Sequence, residues 1–298
     1  MTTTVTHADR AAARRSLQGL ALGDAFGERW FPLFRDRDRA FDEIRARRTP
    51  EEPDWHWTDD TAMALAVHQV LVRCGEIDQD RLAASFARAY DADPTRGYGQ
   101  GMRLLLPRLL EEPGSWRARA PELFDGGSFG NGAAMRVAPL GAWFSADLDR
   151  VVEQAARSAR VTHAHPEGVA GAVAVAVAAA LATRGELSVG AVADRTPPGV
   201  VRDGLRRAAE LSFATEPGRA SDVLGNGGRI RADDTVPFAV WTAARHRDDL
   251  EAALWATASA FGDVDTTCAI TGGIVAAATG VDAVPPVWLA RREPLPPE

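Results

Sequence analysis

The sequence predicts an all-α protein that folds as a single domain over residues 1–298. Alanine, which has the highest helix propensity of the amino acids, is abundant along the chain. Apolar residues recur at helical spacing in many segments, and no stretch alternates polar and apolar residues as a half-buried strand does. Helices of ordinary length joined by short connections are typical of one helical core.

The predicted helices follow this apolar periodicity, and several begin after an acidic or hydroxyl residue that can cap a helix. In chain order they cover residues 11–22, 61–73, 78–90, 102–110, 133–144, 147–160, 166–183, 199–213, 235–244, 248–261 and 266–278. Two stretches rich in charged residues, proline or glycine, 27–57 and 111–132, are predicted as long loops. In the proline-rich tail, Val287 and Leu289 are expected to pack against the rest of the protein.

The composition excludes some kinds of function. The chain has 34 Lys+Arg and 41 Asp+Glu, a formal net charge of −7, and every one of these cations is arginine because the sequence contains no lysine. A Schiff-base lysine and a phosphate-loop lysine are therefore excluded. Binding to a phosphate backbone needs a basic face, so an acidic chain is not expected to bind nucleic acid in this way.

The sequence also predicts a cytoplasmic protein without a membrane-spanning segment. Cys74 and Cys268 are the only cysteines, too few for a disulfide framework or a four-cysteine zinc site. The first residues are polar and lack the apolar core of a signal peptide. The longest apolar run, residues 169–182, is shorter than the roughly 20 residues that a membrane span requires.

Two segments place neighbouring carboxylates and a hydroxyl residue at the start of an apolar helix. They contain Thr58, Asp59, Asp60, Asp263, Asp265 and Thr266. Each segment could simply cap its helix, because Thr and Asp are good N-caps and acidic residues suit the positive end of the helix dipole. Alternatively, the clustered oxygens could bind Mg²⁺ or Mn²⁺, and the four carboxylates would balance the charge of two divalent ions.

A run of small residues, GGSFGNGAAMR over residues 126–136, leads into a predicted helix. Backbone N–H groups can approach a ligand closely there, and a helix N-terminus favours an anion such as a diphosphate, although such turns are also common without any ligand. Farther along, His163 and His165 could suggest zinc, but no HExxH pattern or neighbouring cysteine supports that reading. A histidine that contacts a ligand and a histidine that merely caps a helix both remain open.

Taken together and in this order, the segments resemble the ADP-ribosylglycohydrolase family. The resemblance spans residues 19–280, and it is specific because six motifs occur in the family's order. The matching pieces are GLALGDAFG at 19–27, TDDT at 58–61, GYG at 97–99, SFGNGAAMR at 128–136, TH at 162–163 and GDVDT at 262–266.

The resemblance implies a compact orthogonal helical bundle with two Mg²⁺ ions, or Mn²⁺ ions, as cofactors. The implied metal ligands are Thr58, Asp59, Asp60, Asp263, Asp265 and Thr266. The implied ADP-ribose contacts are Gly99, Ser128, Phe129, Gly130, Asn131, Gly132, Met135 and His163, with the turn at 97–101 near the phosphates and His163 near the ribose.

One position departs from the family pattern. Many members carry a glutamate seven residues after the aspartate that matches Asp24, and Phe31 stands there in this chain. Glu28 is the nearest acid and is expected to take its place, with Asp36 and Asp38 as alternatives, or the role is vacant. Glu28, Asp60 and Asp263 are accordingly the expected catalytic residues.

The expected activity is metal-dependent hydrolysis of the glycosidic bond at the ribose anomeric carbon of an ADP-ribosylated protein side chain or small conjugate. The expected partner is that substrate alone, and nucleic acid is expected to bind only as an ADP-ribosylated substrate. The protein is expected to be a monomer. Phe31 favours one rival, an ADP-ribose-binding or structural protein without activity, whereas the intact acids argue against it. A second rival is another metal hydrolase, such as a phosphohydrolase.

Overall fold

Helices supply the regular secondary structure of the computed structural model, which describes residues 6–50, 54–124 and 126–296. Within these ranges there is no β-strand, and two isolated bridges join Trp55 to Arg292 and Gly130 to Arg231. Short 3₁₀ helices cover Phe31–Arg35, Pro113–Ser115 and Asn131–Ala133. The α-helices are α1 (His7–Glu28), α2 (Arg37–Arg45), α3 (Asp59–Cys74), α4 (Gln79–Ala92), α5 (Gln100–Glu111), α6 (Trp116–Glu122), α7 (Ala138–Trp143), α8 (Leu148–Arg160), α9 (Pro166–Thr183), α10 (Val189–Arg195), α11 (Val200–Glu210), α12 (Pro217–Leu224), α13 (Ala232–Arg245), α14 (Leu250–Ala258), α15 (Val264–Thr279) and α16 (Pro286–Arg291). The predicted all-α, single-domain fold is confirmed.

Helices α1 and α15 touch backbone to backbone. Gly19, Gly23 and Gly27 are spaced four residues apart and therefore share one face of α1. A Cβ atom on Gly19 would lie 2.5 Å from the carbonyl oxygen of Gly272, and one on Gly27 would lie 2.5 Å from Cα of Asp265. One on Gly23 would overlap the Cys268 carbonyl. Only glycine allows this approach, which joins the end of α1 to the start of α15.

Helix α9 lies at the centre of the fold. Its side chains from residue 168 to 182 are all buried, and it packs against α7, α8, α13 and α15. The helix is long and apolar enough to span a membrane by length and composition alone, but 83% of it is buried inside the protein. In this structure it is the core helix around which the others are arranged.

Five helices lie where the sequence predicts none. Helix α2 falls in the predicted loop 27–57 and α6 in the loop 111–132, while α10, α12 and α16 fall in three stretches left without a predicted helix. Each buries only one to three side chains, too few to give a clear apolar period. Residues 133–144 were predicted as one helix, but helix α7 begins only at Ala138, where Pro139 occupies its first turn.

The C-terminal residues join an aromatic cluster beneath α1. Trp288 of α16 is buried, and its ring centroid lies 4.8 Å from that of Phe26. Trp30, Trp55 and Trp255 complete the cluster. The expectation that Val287 packs inward was wrong, because Val287 is 47% exposed; Leu289 is partly buried against the core.

Candidate active site

Asp24 of α1 fixes the position of the first acidic segment. Its carboxylate accepts hydrogen bonds from the backbone N–H of Thr58 at 2.9 Å and of Thr61 at 3.0 Å, and from the Thr61 hydroxyl at 2.6 Å. Thr58 is the N-cap of α3, and its hydroxyl oxygen accepts the N–H of Asp60 at 3.3 Å. The capping interpretation is therefore correct for Thr58. The sequence places Asp24 in a family motif but does not predict this role, because its hydrogen-bond partners lie more than 30 residues away.

Arg96 holds the same segment from the other side. Its carbonyl oxygen accepts the Asp59 N–H at 2.7 Å, and its guanidinium donates to the Trp57 carbonyl at 2.7 Å while lying 3.6 Å from the Trp57 ring centroid. Two further nitrogen–oxygen contacts, 2.7 and 2.9 Å, bind it to Glu293 of the C-terminal tail. At Gly97, a Cβ would lie 3.4 Å from Oδ1 of Asp59, so the 97–101 turn lies against the acids. A Cβ on Gly99 would meet nothing within 4 Å.

The second acidic segment begins α15, and the α1–α15 contact brings it to the end of α1. Asp263 occupies the N-cap position but makes no capping hydrogen bond. Its Oδ2 instead accepts a hydrogen bond from Nδ2 of Asn131 at 2.7 Å. Asp265 accepts the N–H of the buried Thr266 at 2.8 Å. The capping interpretation is therefore wrong for Asp263.

The two acidic segments meet. Burial raises the pKa of Asp59 to about 8, with further contributions from the charges of Asp24 and Asp263. Burial raises the pKa of Asp24 to about 6. Burial also raises the pKa values of Asp60 and Asp265 well above the usual range. The charges of Asp24 and Asp263 raise both values further, and the charge of Asp265 adds to the shift of Asp60. The site is thus short of positive charge.

The donor chemistry of this site fits divalent cations. Oδ2 of Asp60 is buried and has no hydrogen-bond partner among the residues that the structure describes, which is unfavourable for a carboxylate unless a cation or donor meets it. Within the described ranges, no three His, Cys, Asp or Glu side chains form a group ready to hold a metal as they stand. Because no such group is preformed there, ion binding would require carboxylate side chains to reorient. Asp263 and Asp265 each accept a hydrogen bond on one oxygen and keep lone pairs that a cation could use.

Glu28 is the last residue of α1 and lies beside the acids. Burial raises its pKa, with Asp263 adding to the shift and Arg29 opposing it. Phe31, at the position where the family pattern has a glutamate, cannot supply a carboxylate. Its ring packs edge-on against that of Phe34 at 5.7 Å between centroids, and Phe34 in turn packs against Phe261. The two alternative acids, Asp36 and Asp38, are exposed on α2, where Asp36 caps the helix.

The small-residue loop reaches the acids through Asn131, which also donates to the Thr235 hydroxyl at 3.1 Å. Ser128 is buried and accepts the Gly130 N–H at 3.1 Å, and the sulfur of buried Met135 would lie 3.8 Å from a Cβ on Gly132. The loop does not lead directly into an α-helix as predicted. It runs into the 3₁₀ turn Asn131–Ala133, so any anion here would meet the N–H groups of that turn.

The two histidines have different environments. His165 caps α9, its Nδ1 accepting the Glu167 N–H at 3.1 Å, and its ring stacks on Phe129 at 4.7 Å between centroids. The Arg231 guanidinium lies 4.3 Å from the Phe129 ring centroid, so this aromatic side chain is itself engaged by the protein. His163 is buried beside Gly130 and Gly132, and burial lowers its pKa to about 3.

A second glycine-rich loop, residues 225–231, was missed by the sequence analysis. The Asn226 carbonyl accepts the Asp263 N–H at 3.0 Å, and the Ile230 carbonyl accepts the Asn131 N–H at 3.3 Å. Gly227 has a φ of +84°, and a Cβ there would lie 2.5 Å from that of Asp263. The loop thus supports both Asn131 and Asp263. Its only signal in the sequence is GNGG, which by itself indicates an ordinary turn.

The fold and site define an all-α protein in which two helix-start acidic segments converge on a small-residue loop. The family model for ADP-ribosylglycohydrolase matches residues 4–295, and the chain belongs to this family.

Relatives agree with this assignment. ADP-ribosylhydrolase ARH3 of Homo sapiens is 34% identical over 276 residues, which cover 78% of this chain and 73% of the relative. ADP-ribosylarginine hydrolase Tri1 of Serratia proteamaculans is 27% identical over 284 residues, covering 93% and 74%. A solved structure described as an ADP-ribosylglycohydrolase-related protein complex superposes with a TM-score of 0.67 at 25% identity, covering 97% of this chain and 94% of that one.

Proposed function

We propose that this protein hydrolyses the glycosidic bond at the ribose anomeric carbon of an ADP-ribosylated substrate, with two Mg²⁺ ions, or Mn²⁺, as cofactors. Family membership supports ADP-ribosyl hydrolysis as the activity. The observation that carries the proposed metal-dependent cleavage at the ribose is the hydrogen bond from Asn131 to Asp263. It joins the small-residue loop, which would bind the ligand, to the acidic cluster. An ADP-ribose held by the loop would therefore present its ribose to the acids.

The proposed metal ligands come from both acidic segments: Thr58, Asp59, Asp60, Asp263, Asp265 and Thr266. Bound ions would neutralise these carboxylates, orient the ribose hydroxyls and supply Lewis acidity. The buried, unpartnered Oδ2 of Asp60 and the raised pKa values of its neighbours support this assignment.

The chain's own residues would bind the rest of the substrate. The backbone N–H groups of residues 128–132, other than those of Gly130 and Asn131 that already donate within the protein, would hold the diphosphate, because small residues let an anion approach them. Gly99, Phe129, Met135 and His163 would complete the walls of the site. Asp60 and Asp263 would stabilise the positive charge that develops on the ribose ring as the bond breaks.

Glu28 is proposed to move the proton. It is half-buried at the end of α1, and burial raises its pKa, which makes its carboxyl a better proton acceptor than an exposed glutamate. Its position beside Asp263 allows it to act on a water molecule or a leaving group at the anomeric carbon. An ADP-ribosylated protein side chain or small ADP-ribose conjugate is the proposed substrate class.

A direct assay tests this proposal. The purified protein would be given ADP-ribosylated arginine, ADP-ribosylated serine peptide, ADP-ribosylated nucleic acid and O-acetyl-ADP-ribose, with Mg²⁺ or with EDTA. ADP-ribose should be released from at least one substrate, and EDTA should stop the release until Mg²⁺ or Mn²⁺ is restored. Hydrolysis that persists in EDTA would contradict the metal proposal.

The rival function is an ADP-ribose-binding protein without activity, which Phe31 favours because it stands where the resemblance to the family implies a glutamate. The same assay separates the two. Binding of ADP-ribose without turnover of any of the four substrates would establish the rival.

A further inference from the structure

A buried arginine ends the small-residue loop of residues 126–136, which is the proposed ligand-binding loop. Arg136 is fully buried, and its Nη2 donates to the Thr162 hydroxyl at 2.8 Å and to the Ser158 carbonyl at 3.3 Å. Its guanidinium carbon lies 4.2 Å from the ring centroid of Phe86. Because a guanidinium has only donors, the Thr162 oxygen must accept in this contact.

The Thr162 hydroxyl also contacts the ring of His163. Its Oγ1 lies 2.8 Å from Nδ1 of His163. With Arg136 donating to the oxygen, the one hydroxyl proton is free for Nδ1, which is the only acceptor in contact with that hydroxyl among the described residues. A protonated Nδ1 would instead use the oxygen's second lone pair and leave the buried hydroxyl proton without an acceptor among these contacts, which is unfavourable. Nδ1 therefore accepts, and the ring proton of neutral His163 sits on Nε2.

The protonated Nε2 faces the ligand-binding loop. A Cβ atom on Gly132 would lie 3.1 Å from Nε2, and one on Gly130 would lie 3.4 Å from it. Any side chain at these positions would crowd the imidazole. The two glycines thus leave space next to the N–H group, on the side where the loop would hold a ligand.

We propose that Arg136 and Thr162 are positioning residues that fix His163 with its proton on Nε2, so that the imidazole donates a hydrogen bond to an oxygen of the ligand. The ligand class, a phosphate or ribose oxygen of ADP-ribose, rests on the proposed function. The fixed tautomer does not rest on the proposed function, because the hydrogen bonds from Arg136 to Thr162 and from Thr162 to His163, here called the relay, lie within the protein. Reversing the tautomer would present a bare acceptor nitrogen, which repels a phosphate oxygen and can only accept from a ribose hydroxyl.

Nitrogen NMR of the full chain tests the relay. In ¹⁵N-histidine-labelled protein, the His163 resonances are assigned by their loss in His163→Gln. We expect Nε2 to carry the proton and Nδ1 to show an accepted hydrogen bond. In Thr162→Val the Nδ1 resonance should move to that of a nitrogen accepting no hydrogen bond, whereas Thr162→Ser should restore the parental signal.

Two results would overturn the relay. A parent with its proton on Nδ1 would do so without any variant, even if Thr162→Val failed to fold. An Nδ1 resonance that Thr162→Val leaves unchanged would do so as well.

Calorimetry with ADP-ribose tests the ligand contact. Thr162→Val should weaken affinity about three- to tenfold, as expected for one hydrogen bond, and Thr162→Ser should bind like the parent. Equal affinity in all three would overturn the donor role of Nε2. A parent that binds no ADP-ribose would instead refute the proposed function, while the NMR result would still decide the relay.

Discussion

The carboxylate of Asp24 accepts both the backbone N–H and the hydroxyl of Thr61, at 3.0 and 2.6 Å, across 37 residues of chain. Both residues are fully buried, and neither is a proposed metal ligand. The contact joins α1 to the first turn of α3, where Asp59 and Asp60 lie. It therefore fixes the backbone on which two of the proposed ligands stand.

Thr61→Val should destabilise the protein by roughly 1–3 kcal/mol, because it removes a hydrogen bond to a buried carboxylate while keeping the side chain's shape. Denaturant unfolding would measure this change. Thr242→Val is the matched control, since the Thr242 hydroxyl is buried without a hydrogen-bond partner. Its removal should be neutral or stabilising. Equal losses in both variants would contradict the importance of the Asp24 contact.

Asp60→Asn and Asp265→Asn should each weaken Mg²⁺ binding, because each removes a charged oxygen from the proposed metal site. Calorimetry, or the thermal shift caused by Mg²⁺, would report the change. Asp203→Asn is the control, an exposed acid in the first turn of α11. If both site variants bind Mg²⁺ like the parent, the ions bind elsewhere.

The metal-free protein should lose stability as the pH rises from about 6.5 to about 8. Asp59 has a folded pKa of about 8 against an ordinary 3.8, so the folded state retains a proton that the unfolded chain has lost. Stability therefore falls with pH in this window. His163, whose pKa is lowered from 6.5 to about 3, gives the opposite slope, but only below this window.

Melting temperatures in EDTA across the window would show the slope. Asp59→Asn should make the slope shallower, leaving the part that Asp60 and Asp265 contribute. Mg²⁺ should stabilise the parent more at the upper pH, where protons compete less for the carboxylates. A melting temperature that rises with pH in EDTA would contradict the electrostatic account.

Gly132→Val should weaken ADP-ribose binding by about tenfold or more, because the new side chain would displace His163 and fill the space in front of its N–H group. The Mg²⁺-induced thermal shift should stay near the parental value. Gly190→Val is the control, since a Cβ at Gly190 meets nothing within 4 Å. Unchanged ADP-ribose affinity in Gly132→Val would refute the loop assignment.

Glu28→Gln should lower ADP-ribosyl hydrolysis about a hundredfold or more, because the amide keeps the shape of the side chain but cannot move the proton. ADP-ribose affinity should remain close to the parental value. Asp38→Asn, an exposed acid of α2, should be as active as the parent. Near-parental turnover in Glu28→Gln would make Glu28 a bystander and direct attention to Asp36 and Asp38.

Local signals accounted for most of what the sequence predicted well. The acidic segments precede strongly apolar helices, so their position at two helix starts could be anticipated from the sequence. That the two segments meet in space was implied only by the resemblance to the family. The end of α1 could not be anticipated in this way. Glycine is normally unfavourable inside a helix, but Gly23 and Gly27 lie within α1 and allow its close contact with α15. Predicted to stop at residue 22, the helix continues to Glu28 and brings that carboxylate to the site.

Long-range contacts explain what was missed. The role of Asp24 depends on N–H groups 34 and 37 residues away, and that of Arg96 on Glu293, 197 residues away. No periodicity or motif encodes such pairs. The loop at 225–231 contributes backbone carbonyls, which any residue possesses, so its sequence carries little trace of its task.

The glycine contact between α1 and α15 has a kinetic consequence. Gly27 lies against the backbone of Asp265, so the backbone segments that carry Glu28 and Asp265 cannot move apart unless α1 separates from α15. Ions bound at the proposed site should therefore enter and leave by rotation of side chains rather than by separation of these two helices. If Mg²⁺ binds there, the rate of its uptake should be set by the slow loss of the ion's own water shell.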